Sequence, residues 1–179
     1  DYTRRHAKFF LLLTMVFGGL TGVAIWLTIS LLHPAATSVL IHTFVFAWAT
    51  EWVCFVGEIV ALFVYYYTFG KMAPRRHLVI GWLYFIFAWL SLVIIGGIIA
   101  FMLTPGGWPA SGDFWDGLLN PSFAPSVAFR TFLALVLAGV YGLLTATALE
   151  DAGLRQRLVR WCAGWLLLPF LLMLATGCL

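Results

Sequence analysis

Residues 37–70 read TSVLIHTFVFAWATEWVCFVGEIVALFVYYYTFG. The stretch holds no Lys or Arg, and its only acidic residues are Glu51 and Glu58. A helix needs about 20 apolar residues to cross a bilayer, and this run exceeds that. A carboxylate at bilayer depth costs roughly 2.5–3.5 kcal/mol on insertion scales, so such residues usually face a protein interior and usually work. Glu51 and Glu58 are seven residues apart. At ~100° per residue that spacing puts both on one helix face, about 10 Å apart along the axis. Tyr65 carries the same stripe one heptad further.

The rest of the chain has the same character. Of 179 residues, 63% are hydrophobic and only 9% charged, with a mean hydropathy of +1.01. That composition excludes a soluble domain and indicates a polytopic membrane protein. Five apolar runs are long enough to span: about 9–32, 38–69, 78–103, 125–149 and 159–177. The expectation is an all-α integral membrane protein, a single bundle of about five transmembrane helices over residues 1–179. His33-Pro34 ends the first run, because proline cannot continue a helix and restricts its predecessor. The second run is longer than a bilayer needs and is expected to tilt or to project beyond it.

The net charge of +3 gains meaning only when it is mapped onto loops. Arg4, Arg5 and Lys8 precede the first span. Lys71, Arg75 and Arg76 lie between the second and third, and Arg155, Arg157 and Arg160 between the fourth and fifth. The other two connections have no Lys or Arg, and the longer one carries Asp113 and Asp116. By the positive-inside rule the N-terminus is predicted inside and the C-terminus outside. Short basic clusters between apolar runs do not indicate nucleic-acid binding. Tryptophans in the loop 104–124 suit an interfacial belt. Cys54, Cys162 and Cys178 show no metal or disulfide spacing. The first residue is Asp1 rather than Met.

Glu51 and Glu58 are the first candidates, as a proton path or as acids beside a haem; the plainer reading is a glutamic acid hydrogen-bonded to a neighbouring helix. His42, about one turn inside the second span, is the candidate ligand for a haem iron, histidine being the usual one. On an ideal helix it sits about 160° from Glu58 and about 180° from Glu51, so it serves a different neighbour or simply bonds a backbone carbonyl. Arg130, near the start of the fourth span, either snorkels to the surface or pairs with Asp113, Asp116 or a haem propionate. His6 and His77 lie in basic segments and are expected to face water or headgroups. Gly18, Gly19, Gly22, Gly96 and Gly97 allow close approach of helices or of a flat cofactor.

The order of features resembles the N-terminal half of subunit I of cytochrome bd-type quinol oxidases, helices two to five, in a divergent and truncated form. The resemblance runs from about Lys8 to the fifth span. It rests on Gly18-Gly19-Leu20-Thr21-Gly22-Val23, the acidic helix with Glu51 and Glu58, Leu62-Phe63, and the basic turn ending at His77. Gly81-Trp82, Phe101-Met102-Leu103-Thr104-Pro105 and Asn120-Pro121 follow in the expected order. It implies that Glu51 and Glu58 are the intramembrane acid pair beside haem, serving proton delivery or haem coordination. It also implies b-type haem and quinone as cofactors in a multi-pass bacterial inner-membrane protein. The family's first helix, with its ligating histidine, has no counterpart. Arg130 stands where the fourth helix should carry another histidine, and the quinol loop and later helices are absent.

Three readings follow. The chain is a subunit of a larger respiratory or electron-transfer complex, partnered by other membrane subunits and by a c-type cytochrome or iron–sulfur protein. Alternatively it is a cofactor-free structural anchor of such a complex. A small transporter, the third reading, predicts repeated halves, and the five spans show none.

Overall fold

The computed structural model describes residues 2–178, and every regular element among them is helical. In chain order these are α1 (Tyr2–Leu12), a π-helical segment (Leu13–Gly18), α2 (Gly19–Leu32), α3 (Pro34–Thr43), α4 (Val45–Tyr67) and α5 (Pro74–Leu103). The short α6 (Trp108–Ser111) and α7 (Phe114–Leu118) follow, then α8 (Phe123–Thr147) and α9 (Ala152–Gly177). Five helical stretches are long and apolar enough to cross a membrane: Tyr2–Leu32, α4, α5, α8 and α9. The five-span, all-α expectation therefore holds.

The boundaries differ from the hydropathy reading in three informative places. The run 38–69 is not one long helix. It breaks at Phe44, whose backbone leaves helical geometry at φ −112° and ψ 28°. The Phe44 side chain is fully buried, so tertiary packing bends a stretch whose local propensity is helical throughout. The excess length goes into a separate helix, α3, opened by Pro34 at the first position, where its missing N–H costs nothing. Next, the arginines between the fourth and fifth spans lie in the opening turns of α9, not in a linker. Asp151 starts that helix early, its carboxylate accepting from the N–H groups of Gly153 and Leu154. Finally, the loop between α5 and α8 carries α6 and α7. Asp113 caps α7 by accepting from the N–H groups of Trp115 and Asp116.

The chain divides into two compact units, Ala7–Ile98 and Asp1–His6 with Ile99–Leu179. In the first, α4 and α5 form an antiparallel hairpin. Gly70, at φ 75°, makes the left-handed turn that other residues resist, and the Lys71 N–H closes it on the Thr68 carbonyl at 2.9 Å. In the second, α8 and α9 form another antiparallel hairpin. There a Cβ on Gly139 would meet Leu166 at 2.8 Å and one on Gly142 would meet the Cys162 sulfur at 2.8 Å. The N-terminal turn belongs to this unit: the Tyr2 hydroxyl donates to the Gly142 carbonyl at 2.9 Å, and His6 Nδ1 lies 2.8 Å from the Thr145 hydroxyl.

Candidate functional site: a polar seam between α4 and α5

The heptad spacing of Glu51, Glu58 and Tyr65 on α4 has a counterpart on α5. Ser91, Tyr84 and His77 are also seven apart, and they run in the opposite direction. The hairpin register sets the two series face to face in three layers. In the first, the Ser91 hydroxyl donates to Glu51 Oε1 at 2.7 Å. In the last, next to the turn, the rings of Tyr65 and His77 stack with centroids 4.0 Å apart. Equal steps of seven from either end bring Glu58 opposite Tyr84, and the two interact electrostatically. Glu58 also lies within electrostatic reach of Glu51.

Glycines let the two helices carry large rings across this seam. A Cβ on Gly57 would stand 2.9 Å from the Phe87 ring, and one on Gly81 would stand 3.3 Å from Tyr65 Cε2. The Tyr65 ring thus runs from His77 over Gly81 towards the layer of Tyr84 and Glu58. Side chains tilt towards their own helix N-terminus, so Tyr65 and Tyr84 lean into the same gap from opposite sides.

His77 departs from its expected place at the water or headgroup boundary. It is partly buried, stacked on Tyr65 and edge-on to Phe69 at 4.9 Å. Its Nε2 lies 2.8 Å from the Tyr65 carbonyl. A carbonyl only accepts, so Nε2 carries the proton and the neutral ring keeps its lone pair on Nδ1.

His42 lies on α3, apart from the acid seam, and is exposed. Its Nδ1 is 2.7 Å from the Ser38 carbonyl, which assigns the proton to Nδ1 and leaves the Nε2 lone pair directed away from its own helix. That backbone bond is the arrangement commonly found behind a metal-ligating histidine. In the same unit, Trp48 packs edge-on to Trp26 at 4.7 Å, and its Nε1 is a buried donor with no hydrogen-bond acceptor. His42 thus has the donor chemistry of an axial haem ligand, whereas Trp48 Nε1 is sealed within the unit. Among the described residues, no three His, Cys, Asp or Glu side chains gather around a common point.

Arg130 belongs to the other unit, near the start of α8. Its Nε donates to the Ser126 hydroxyl at 3.3 Å. Among the described residues it forms no ion pair; pairing with Asp113 or Asp116 was one of the alternatives that the sequence left open. Asp113 instead caps α7.

Ser91, Tyr84 and His77 are the seam residues that the α4 stripe alone did not reveal. Their signal was present as a second run of sevens on the next span. It becomes legible only when the turn at Gly70 fixes the register between the helices.

A family model described as cytochrome bd terminal oxidase subunit I matches residues 1–179, extending the resemblance to the whole chain. No curated protein and no solved structure matches.

Proposed function

Because the chain belongs to the cytochrome bd terminal oxidase subunit I family, and is thus a membrane subunit of a respiratory complex, we propose that its α4–α5 seam is a proton path. The observation that supports this is the pairing of two intramembrane carboxylates on one face of α4 with hydroxyl-bearing residues of α5, Glu51 held by Ser91 at 2.7 Å. Carboxylic acids and hydroxyls both donate and accept, so a line of them passes protons through intervening water. In this reading the seam draws protons from the cytoplasmic side of a bacterial inner membrane, the side on which Lys71, Arg75 and Arg76 are retained. Other membrane subunits complete the complex, and a c-type cytochrome or iron–sulfur protein supplies electrons where quinol does not.

His42 would hold a b-type haem through Nε2, and Arg130 would pair with a propionate of a haem in its own unit. A bound haem would supply electron transfer. This chain's residues would orient it and would hold and move protons beside it.

The test is Glu58→Gln in the assembled complex, with quinol-driven oxygen consumption as the readout. An uncharged isostere is cheaper in the membrane, so assembly is retained while turnover falls. Wild-type turnover in that variant would instead favour a structural anchor, which needs no titrating group at position 58. His42→Ala, followed by the Soret band of the purified complex, tests the ligand assignment on its own.

A further inference from the structure

Several polar groups of the Glu58–Tyr84 layer and the Tyr65–His77 layer have no protein partner. The Glu58 carboxylate, the hydroxyls of Tyr65 and Tyr84, and His77 Nδ1 make no hydrogen bond to any described residue. None of them is sealed inside the chain, for among the described residues the only sealed, unpaired side-chain polar atom is Trp48 Nε1. Partly buried polar groups that lack protein partners and stay reachable are satisfied by water. Adjacent layers stand about 10 Å apart along the helices, too far for direct transfer and suited to a short water file.

We propose that His77 is the group through which protons enter the seam, passing them to Glu58 along the gap lined by the Tyr65 and Tyr84 hydroxyls. This rests on the proton-path reading above and assigns its mouth. Three features single out His77. It sits at the turn end of the seam, where Lys71, Arg75 and Arg76 are exposed. The Tyr65 carbonyl fixes its tautomer, so the basic nitrogen is always Nδ1. Its ring is held between Tyr65 and Phe69, so that nitrogen keeps one position. Nδ1 takes a proton from water at the basic turn, and the imidazolium releases it to water in the gap. The Glu58 carboxylate receives it, and the ring returns to its starting tautomer. The groups packed on His77 are Tyr65 from α4 and Phe69 from the turn that follows it, with Tyr84 two turns on along its own helix.

The experiment uses the complete complex in liposomes, with single-turnover proton uptake followed by a pH-indicating dye. His77→Gln is expected to slow uptake by about 100-fold, the low end for loss of a positioned acid–base group. Added imidazole is expected to restore it, whereas Glu58→Gln is slowed and is not restored. Slowing in His77→Gln without imidazole rescue assigns His77 a structural role and overturns the inference. Wild-type uptake in His77→Gln, with uptake still slowed in Glu58→Gln, overturns the inference and leaves the proton path standing. Wild-type uptake in Glu58→Gln overturns both. Should His77→Gln fail to assemble, Tyr84→Phe decides. It removes one hydroxyl from the gap and is expected to slow uptake several-fold with a raised solvent isotope effect, and an unchanged rate and isotope effect would refute the route.

Discussion

The two hairpins solve the same packing problem with opposite chemistry. Along α8 and α9, glycines bring the helices together against Leu166 and Cys162, and no acidic residue lies in either helix. That is the ordinary way to join helices in lipid, where close van der Waals contact replaces the hydrophobic effect. Along α4 and α5, glycines again admit close contact, of Phe87 over Gly57 and Tyr65 over Gly81. Here, though, each helix also carries polar residues every seven positions. The α8–α9 seam shows that a hairpin of this length packs without acids. Glu51 and Glu58 are therefore not needed to hold α4 against α5, and each costs roughly 2.5–3.5 kcal/mol to insert. Such a residue calls for a role in function.

The largest effect that separates the two seams is on rate. Glu58→Gln is expected to lower turnover of the assembled complex about 100-fold, the low end of general acid–base contributions, while thermal stability in detergent stays the same or rises. If oxygen consumption per assembled complex stays within twofold of wild type, the contrast between a working seam and a structural one collapses.

The second effect is the mirror image. Gly142→Leu drives a branched side chain into the Cys162 sulfur, which already stands 2.8 Å from an ideal Cβ. Overpacking of this kind costs about 1–3 kcal/mol, and the upper end is expected because the helix backbones must separate. Unfolding in mixed micelles reads the loss. Molecules that do assemble should turn over normally, since no seam residue has moved.

Gly57→Ala sharpens the comparison because it adds bulk to the polar seam itself. The new methyl meets the face of the Phe87 ring at 2.9 Å, and about 1–2 kcal/mol of destabilisation is expected. Unlike Gly142→Leu, it should also slow turnover, because Glu58 is the next residue. Phe87→Leu in the same chain relieves the contact, and a double-mutant cycle by chemical denaturation should show favourable coupling.

How much of this was legible beforehand follows from the physics of each feature. Span number came from hydropathy alone, because a bilayer demands about 20 apolar residues whatever the tertiary contacts. The end of the first span at His33 was legible for a local reason, the proline that follows. The break at Phe44 was not, because no glycine or proline marks it and only the burial of that side chain in the folded unit explains it. The early start of α9 was signalled by Asp151 followed by Ala152-Gly153-Leu154, a capping pattern overshadowed by the arginines behind it. At the site, the stripe of Glu51, Glu58 and Tyr65 was visible on one helix. Its partners depended on interhelical register, which is set by the turn and is not encoded in the spacing of either helix alone. His77 was misplaced for the same reason: basic neighbours argued for water, and stacking on a residue of the preceding helix decided otherwise.

The smallest expected effects compare one hydroxyl on each hairpin. Ser91→Ala removes the donor to Glu51 and leaves a partly buried carboxylate to find water. Interhelical hydrogen bonds in membranes average about 0.6 kcal/mol and reach about 1.7 kcal/mol, and an acid partner places this one at the upper end. Thr145→Val removes the contacts of its hydroxyl with Tyr2 and His6. That hydroxyl also bonds the Tyr141 carbonyl one turn back at 2.9 Å, so it is already satisfied within its own helix and contributes less across the interface. About 0.6 kcal/mol is expected. Infrared spectra separate the two cases further. Ser91→Ala should shift the stretching band of the Glu51 carboxyl group, because the lost partner belonged to an acid, whereas Thr145→Val should leave that region unchanged. A larger stability loss in Thr145→Val than in Ser91→Ala would mean that the N-terminal turn is held mainly by polar contacts, and that the seam with the acids is not the one in which hydrogen bonding counts most.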